Sequence, residues 1–94
     1  MEIPNKIGGA TVLRYSEIDS RHRHLNRCEH QLGGKIVGKA SWVAICKDKD
    51  LFYLFFGYEG DVTTDTAHFS LDEAIRQAEF EYEGLGSTWE VVSS

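Results

Sequence analysis

Two hydrophobic rhythms run through this chain, one with a period of two residues and one close to 3.6. The two-residue rhythm dominates the middle. In residues 35–47, Ile36, Gly38, Ala40, Trp42, Ala44 and Cys46 alternate with Val37, Lys39, Ser41, Val43 and Ile45, which predicts one long strand whose second half is apolar on both faces. Lys47-Asp48-Lys49-Asp50 supplies a charged turn, and the aromatic run at residues 51–58 returns as a second strand. These two should form a hairpin at the centre of an antiparallel sheet. Residues 11–18 alternate more loosely and predict a strand near an edge. Residues 61–68 predict a third short strand or an extended loop, and residues 87–92 a closing strand. The polar, Arg- and His-rich residues 19–34, closed by Gly33-Gly34, predict a loop with a short helix around residues 25–31.

The helical rhythm belongs to residues 71–83. Ser70-Leu71-Asp72-Glu73 fits a capping box, in which the Ser70 hydroxyl accepts from the Glu73 amide and the Glu73 carboxylate reaches back to the Ser70 amide. Asp72 and Glu73 complement the positive end of the helix dipole, and Gly84 and Gly86 provide the stop. At about 100° per residue, Leu71, Ala74, Ile75, Ala78 and Tyr82 share one third of the circumference and form a core stripe. Phe80 falls about 180° from Leu71 and should face outward. The expected architecture is α+β and a single domain over residues 1–94. It is an antiparallel sheet of about four strands with one main C-terminal helix packed on one face.

One helix leaves one side of the central strands bare, because Leu51, Tyr53 and Phe55 face opposite to Phe52, Leu54 and Phe56. The candidates for cover are the segment of residues 19–34, a second copy of the chain, or a different protein. Intramolecular cover by the N-terminal third is the plainest of these.

Charge then divides the chain. Residues 1–49 carry nine Lys/Arg against five Asp/Glu, whereas residues 50–94 carry ten Asp/Glu and a single cation, Arg76. The net charge of -5 disfavours general attraction to phosphate backbones or anionic lipids, so nucleic acid is not the expected partner. The longest apolar run, residues 51–56, is far short of the ~20 residues that cross a bilayer. Two cysteines and no apolar signal segment in residues 1–10 point to a reducing cytoplasm.

Candidate chemistry is thin. His22, His24, Cys28 and His30 are all possible zinc donors, yet their spacing matches no usual ligand pairing and Arg21, Arg23 and Arg27 would repel a cation. Asp61, Asp65 and His68 could supply a base and an acid, but the same residues are ordinary turn and edge residues beside a helix cap. Cys46 sits in an apolar strand, where a thiol is inert. The reading that follows is a protein with no catalytic residues, no metal and no cofactor. Phe80 on the outward helix face is the expected anchor for a basic protein partner. Asp72, Glu73, Glu79, Glu81 and Glu83 surround it, with Asp61 and Asp65 at the rim. The same carboxylates also read as a solvated face that keeps the chain soluble.

The stretch TDTAHFSLDEAIRQAEFEYEG at residues 64–84, followed by LGSTW at residues 85–89, resembles the end of a group of small bacterial proteins that are similar to toxin-immunity proteins. That resemblance implies a small acidic α+β inhibitor that plugs the positively charged cleft of a toxin. It leaves the basic, His-rich first half without a role. A homodimer that buries the spare sheet face against its twin is the alternative expectation.

Overall fold

A computed structural model describes residues 3–25, 30–32, 35–59 and 62–93. In chain order the strands are β1 (Lys6–Ile7), β2 (Ala10–Glu17), β3 (Arg23–His24), β4 (His30–Leu32), β5 (Lys35–Val37), β6 (Trp42–Asp48), β7 (Leu51–Tyr58) and β8 (Val62–His68). Helix α1 (Leu71–Glu81) follows, then β9 (Tyr82–Glu83), a 3-10 turn at Leu85–Ser87, and β10 (Glu90–Val91). The class is α+β, as the alternation implies. Among the described residues, the main antiparallel sheet has six strands, more than the four expected. Its order is β1-β2-β6-β7-β8, with β10 also pairing β2.

The β6–β7 hairpin forms the middle of this sheet as its pattern dictates. Asp48 pairs with Leu51, which leaves Lys49-Asp50 as a two-residue connection, and Lys49 takes a left-handed φ of 57° as the twist of such tight turns requires. Of residues 61–68, Val62–His68 form a strand, β8, paired along its length to β7. Strand β2 sits between β6 and the short edge strands β1 and β10. Its register slips at Leu13, where one extra residue bulges between Val12 and Arg14. The freed Leu13 carbonyl accepts from the amides of Val92 (2.9 Å) and Ser93 (3.3 Å) and so holds the C-terminal segment.

Three sequence expectations are corrected. The long strand over residues 35–47 breaks at residues 38–41, because this segment spends its backbone groups elsewhere. Ser41 donates to the Gly57 carbonyl and accepts from Ile18, and the Ala40 amide donates to Tyr82 Oη at 2.8 Å. Strand β5 therefore pairs with β4 in a separate ribbon. The short helix around residues 25–31 is not formed at His30 and Gln31, which belong to β4, and residues 26–29 lie outside the described residues. Helix α1 ends at Glu81 instead of Glu83, because Tyr82 turns extended at φ -134° and ψ 124° to pair with His24 while Glu83 pairs with Arg23. The glycine stop still operates one step later. Gly84 has φ 97°, and a Cβ there would lie 2.6 Å from the Arg21 carbonyl oxygen.

The core has two halves separated by the sheet. On one face Val43, Ile45, Leu54 and Phe56 pack under Ala74 and Ala78 of α1, with Ile18, Ala40, Tyr82 and Leu85 closing the ends. On the other, Ala10, Val12, Tyr15, Ala44 and Cys46 are buried, with Ile3, Ile7, Trp42, Phe55 and Val92 packed against them. Among the described residues, the cover for the second face comes from the two ends of the chain. Here Trp42 stacks on Tyr15 at 5.8 Å between ring centroids and lies flat across Gly57, its partner in the register. Gly57→Ala drives a methyl group into the indole and displaces it. Overpacking of this kind is expected to cost about 1–3 kcal/mol, readable as a lower urea midpoint with altered tryptophan fluorescence.

Candidate functional site

The outward surface of α1 is built by a helix whose other side is committed to the core. Ser70 Oγ accepts from the Glu73 amide at 3.1 Å, which starts the helix as expected. The carboxylate of Glu73 faces His68 Nδ1 at 3.4 Å, so the return half of the capping box gives way to a contact with the preceding strand. Ala74 and Ala78 are buried, Leu71 and Ile75 are partly so, and Asp72, Arg76, Glu79 and Phe80 are exposed. Phe80 is 47 % exposed, on the outward side that the helical period assigns to it. Phe69, which the sequence reading passed over, stands 82 % exposed immediately before the cap. Its apolar character was visible, but nothing in a strand-to-helix connection says which way a side chain turns.

The residues read as one acidic rim do not form one. Glu81 is 1 % exposed, which corrects its placement on the outward face. The helix period already carries the reason, since Glu81 falls within about 20° of Ala74. Its carboxylate accepts from Gln77 Nε2 at 2.9 Å. Glu83 is exposed but ion-paired with Arg23 at 2.8 Å, an exposed pair worth little energy that still offsets its charge. Glu79 lies 3.4 Å from Trp89 Nε1. Glu79 and Glu83 meet along a groove of about 370 Å³ whose walls include Arg23, Leu25 and Tyr82. Asp65 pairs with Phe55 and so belongs to the opposite face of the sheet from α1. Asp61 lies outside the described residues.

Beneath the end of α1, burial and hydrogen bonding shape a polar seam. Burial pushes the Tyr82 hydroxyl up to about 12, with the Glu81 charge adding to it, and raises Tyr58 in the same direction. The ring of His24 stacks on Tyr82 at 4.8 Å. Among the described residues, His24 Nε2 is buried without a hydrogen-bond partner, at a cost of about 1–3 kcal/mol, while the buried hydroxyls of Tyr58 and Thr64 have each other as polar neighbours.

The catalytic and metal alternatives fare differently from their appearance in sequence. Asp65 and His68 are three residues apart on β8, so their side chains leave opposite faces of the sheet and do not converge. His68 shares its face with Thr66, whose Oγ1 is 2.8 Å from its Nε2. Among the described residues, no three His, Cys, Asp or Glu side chains come together as metal ligands. Cys28 lies outside the described residues. Burial raises the Cys46 thiol to about 12, which leaves it unreactive.

His22 instead anchors a network that sequence reasoning missed. Its side chain is fully buried, its Nδ1 accepts from the Asp19 amide at 3.1 Å, and its Nε2 is 2.8 Å from Thr88 Oγ1. Thr88 Oγ1 is in turn 2.8 Å from Ser16 Oγ, and Ser16 donates to the Glu17 carbonyl. An acid, an imidazole and two hydroxyls resemble a nucleophile relay in composition, but the proton directions run the wrong way. Because Nδ1 is occupied by an N–H donor, Nε2 carries the proton and donates to Thr88. The Thr88 and Ser16 hydroxyls share one hydrogen bond and have the Leu85 and Glu17 carbonyls as acceptors. The imidazole lone pair is held by the Asp19 amide and faces neither hydroxyl. Asp19 is three residues from His22, but Thr88 is 66 residues away and no local motif points to it.

Comparison with known proteins finds no matching family model, no matching curated protein and no matching solved structure. Among the described residues, no helix is long and apolar enough to cross a membrane.

The His22 network has a pH signature. Burial lowers the His22 pKa, and the nearby Arg21 and Lys39 charges add to this against the opposing pull of Asp19. The folded chain therefore takes up this proton later than the unfolded chain, whose histidine titrates near ~6.5. Stability is full above that pH and falls as pH drops below it. Thermal melts at pH 7.5 and 5.5 should show this loss, and His22→Gln should shrink the difference.

Proposed function

We propose that this chain is a non-enzymatic binding protein of inhibitor or immunity type, docking a basic protein partner through the outward face of α1. In the immunity reading that partner is a toxin. The observation that carries the proposal is Phe80, a large aromatic 47 % exposed on a helix whose opposite side is locked into the core. Asp72 and Glu79 lie on the same exposed side, with Arg76 between them, and half-buried Glu73 borders it. Phe69 adds a second exposed ring about one helix length away, roughly 16 Å for eleven residues, within the span of one protein interface. Aromatic anchors with a charged surround combine tight contact at the centre with electrostatic steering at the edge. Glu83 contributes less than its position in the sequence suggests, because Arg23 accompanies it.

The homodimer alternative would use the sheet face remote from α1. Ile3, Ile7 and Val92 already pack on that face, so less apolar surface is left there for a twin than the bare strands promised.

A photo-cross-linking residue placed at position 80 in the native host should capture a protein of net positive charge. With that complex purified, Phe80→Ala should weaken binding by more than about fivefold, as loss of an interface anchor does. Glu79→Lys should slow association by about tenfold at low salt. Recovery of no basic protein, or wild-type kinetics in both variants, would overturn the proposal.

A further inference from the structure

The sheet face away from α1 carries a groove of about 300 Å³ between the β6–β7 turn, β8 and the start of β2. It is lined by Gly8, Ala10, Asp48, Tyr53, Phe55 and Asp65. Its chemistry is one-sided. Two exposed carboxylates flank two aromatic rings, Tyr53 and Phe55, whose centroids are 6.3 Å apart and whose planes are tilted by 35°. Asp65 lies directly opposite Phe55 across the β7–β8 ladder, so charge and ring share one wall. Neither the Asp48 nor the Asp65 carboxylate takes part in an ion pair or hydrogen bond among the described residues. Among the described residues, no cationic side chain lines the groove either. The nearby Lys47 is turned to the other face, its Nζ 5.4 Å from the centre of the Phe52 ring. At the mouth, Gly8 presents no side chain, and the space where one would stand is open.

We propose that this groove receives a guanidinium group, the side chain of an arginine on a partner's surface. An arginine is planar and stacks on aromatic faces while donating to carboxylates. A compact ammonium can also sit over a ring, but only the planar guanidinium stacks on rings while its fork of N–H groups donates to carboxylates beside them. A second copy of the chain is a worse occupant by charge, because antiparallel pairing of two β8 edges centred on Asp65 sets like charges opposite each other. The inference rests on the partner being a basic protein, as proposed above, and adds a second contact on the other side of the sheet. A partner that used both surfaces would have to wrap around the molecule, and two partners could occupy them separately.

The test is an NMR titration of the intact chain with N-acetyl-arginine methylamide, alongside the neutral isostere N-acetyl-citrulline methylamide. Saturable shifts centred on Gly8, Tyr53, Phe55 and Asp65 with arginine, and none with citrulline, are expected. Asp48→Asn and Asp65→Asn alter exposed side chains, keep the fold, and should each weaken binding by about two- to fivefold, the range for one exposed ion pair. Phe55→Leu should weaken it further without changing the charge. A variant with Phe80→Ala and Glu79→Lys should bind arginine as the parent does, which separates this groove from the α1 surface. Equal response to citrulline, shifts scattered over all the acidic residues, or unchanged binding in both Asn variants would overturn the assignment.

Discussion

Everything in this molecule answers to one constraint: the β6–β7 hairpin is apolar on both faces and must be covered twice. A sheet with one wet face could have stopped at a single packed helix. Here α1 closes one side through Ala74 and Ala78 over Ile45, Leu54 and Phe56. The second side draws in both ends of the chain, Ile3 and Ile7 from the N-terminal part and Val92 from the C-terminal part. The Leu13 bulge serves that requirement, because its carbonyl holds the amides of Val92 and Ser93.

Double cover also decides which polar groups can face a partner. An acidic half-chain becomes several separate environments once wrapped around a two-sided core. Glu81 is buried beside Gln77, Glu83 is paired with Arg23, and Glu73 lies against His68. Asp72 and Glu79 remain outside near Phe80, and Asp65 emerges on the far face next to Phe55. A charge count over the linear chain therefore overstates any single acidic patch. What survives are two smaller surfaces, each combining carboxylates with aromatic rings.

The basic, histidine-rich first half finds structural uses that its composition did not suggest. Arg23 and His24 form the short strand that draws Tyr82 out of the helix, and His22 joins the turn at Asp19 to Thr88 and Ser16. Lys39 donates to the carbonyls of Asp19 and His22 and braces the same turn. Asp19 is itself held down to about 2 by its hydrogen bonds from Arg21.

The hairpin, its tight charged turn, the Ser70 cap, the core stripe of α1 and the outward Phe80 were all legible in the sequence, while β8 was legible only as a strand or an extended loop. Each rests on alternation or on contacts only a few residues apart, which local spacing encodes. Glu81 was legible too, through its angular position beside Ala74, and was misread because its neighbours Glu79 and Glu83 drew it into a charge pattern. Tertiary structure alone decided the end of α1 at Glu81, the break before Trp42, the recruitment of both chain ends to the second face, and the partner of His22 Nε2. In each of these a backbone or side-chain group is satisfied by a partner distant in the chain, such as Tyr82 by His24 and Ala40 or His22 by Thr88. Such pairings exist only after the sheet has brought the segments together.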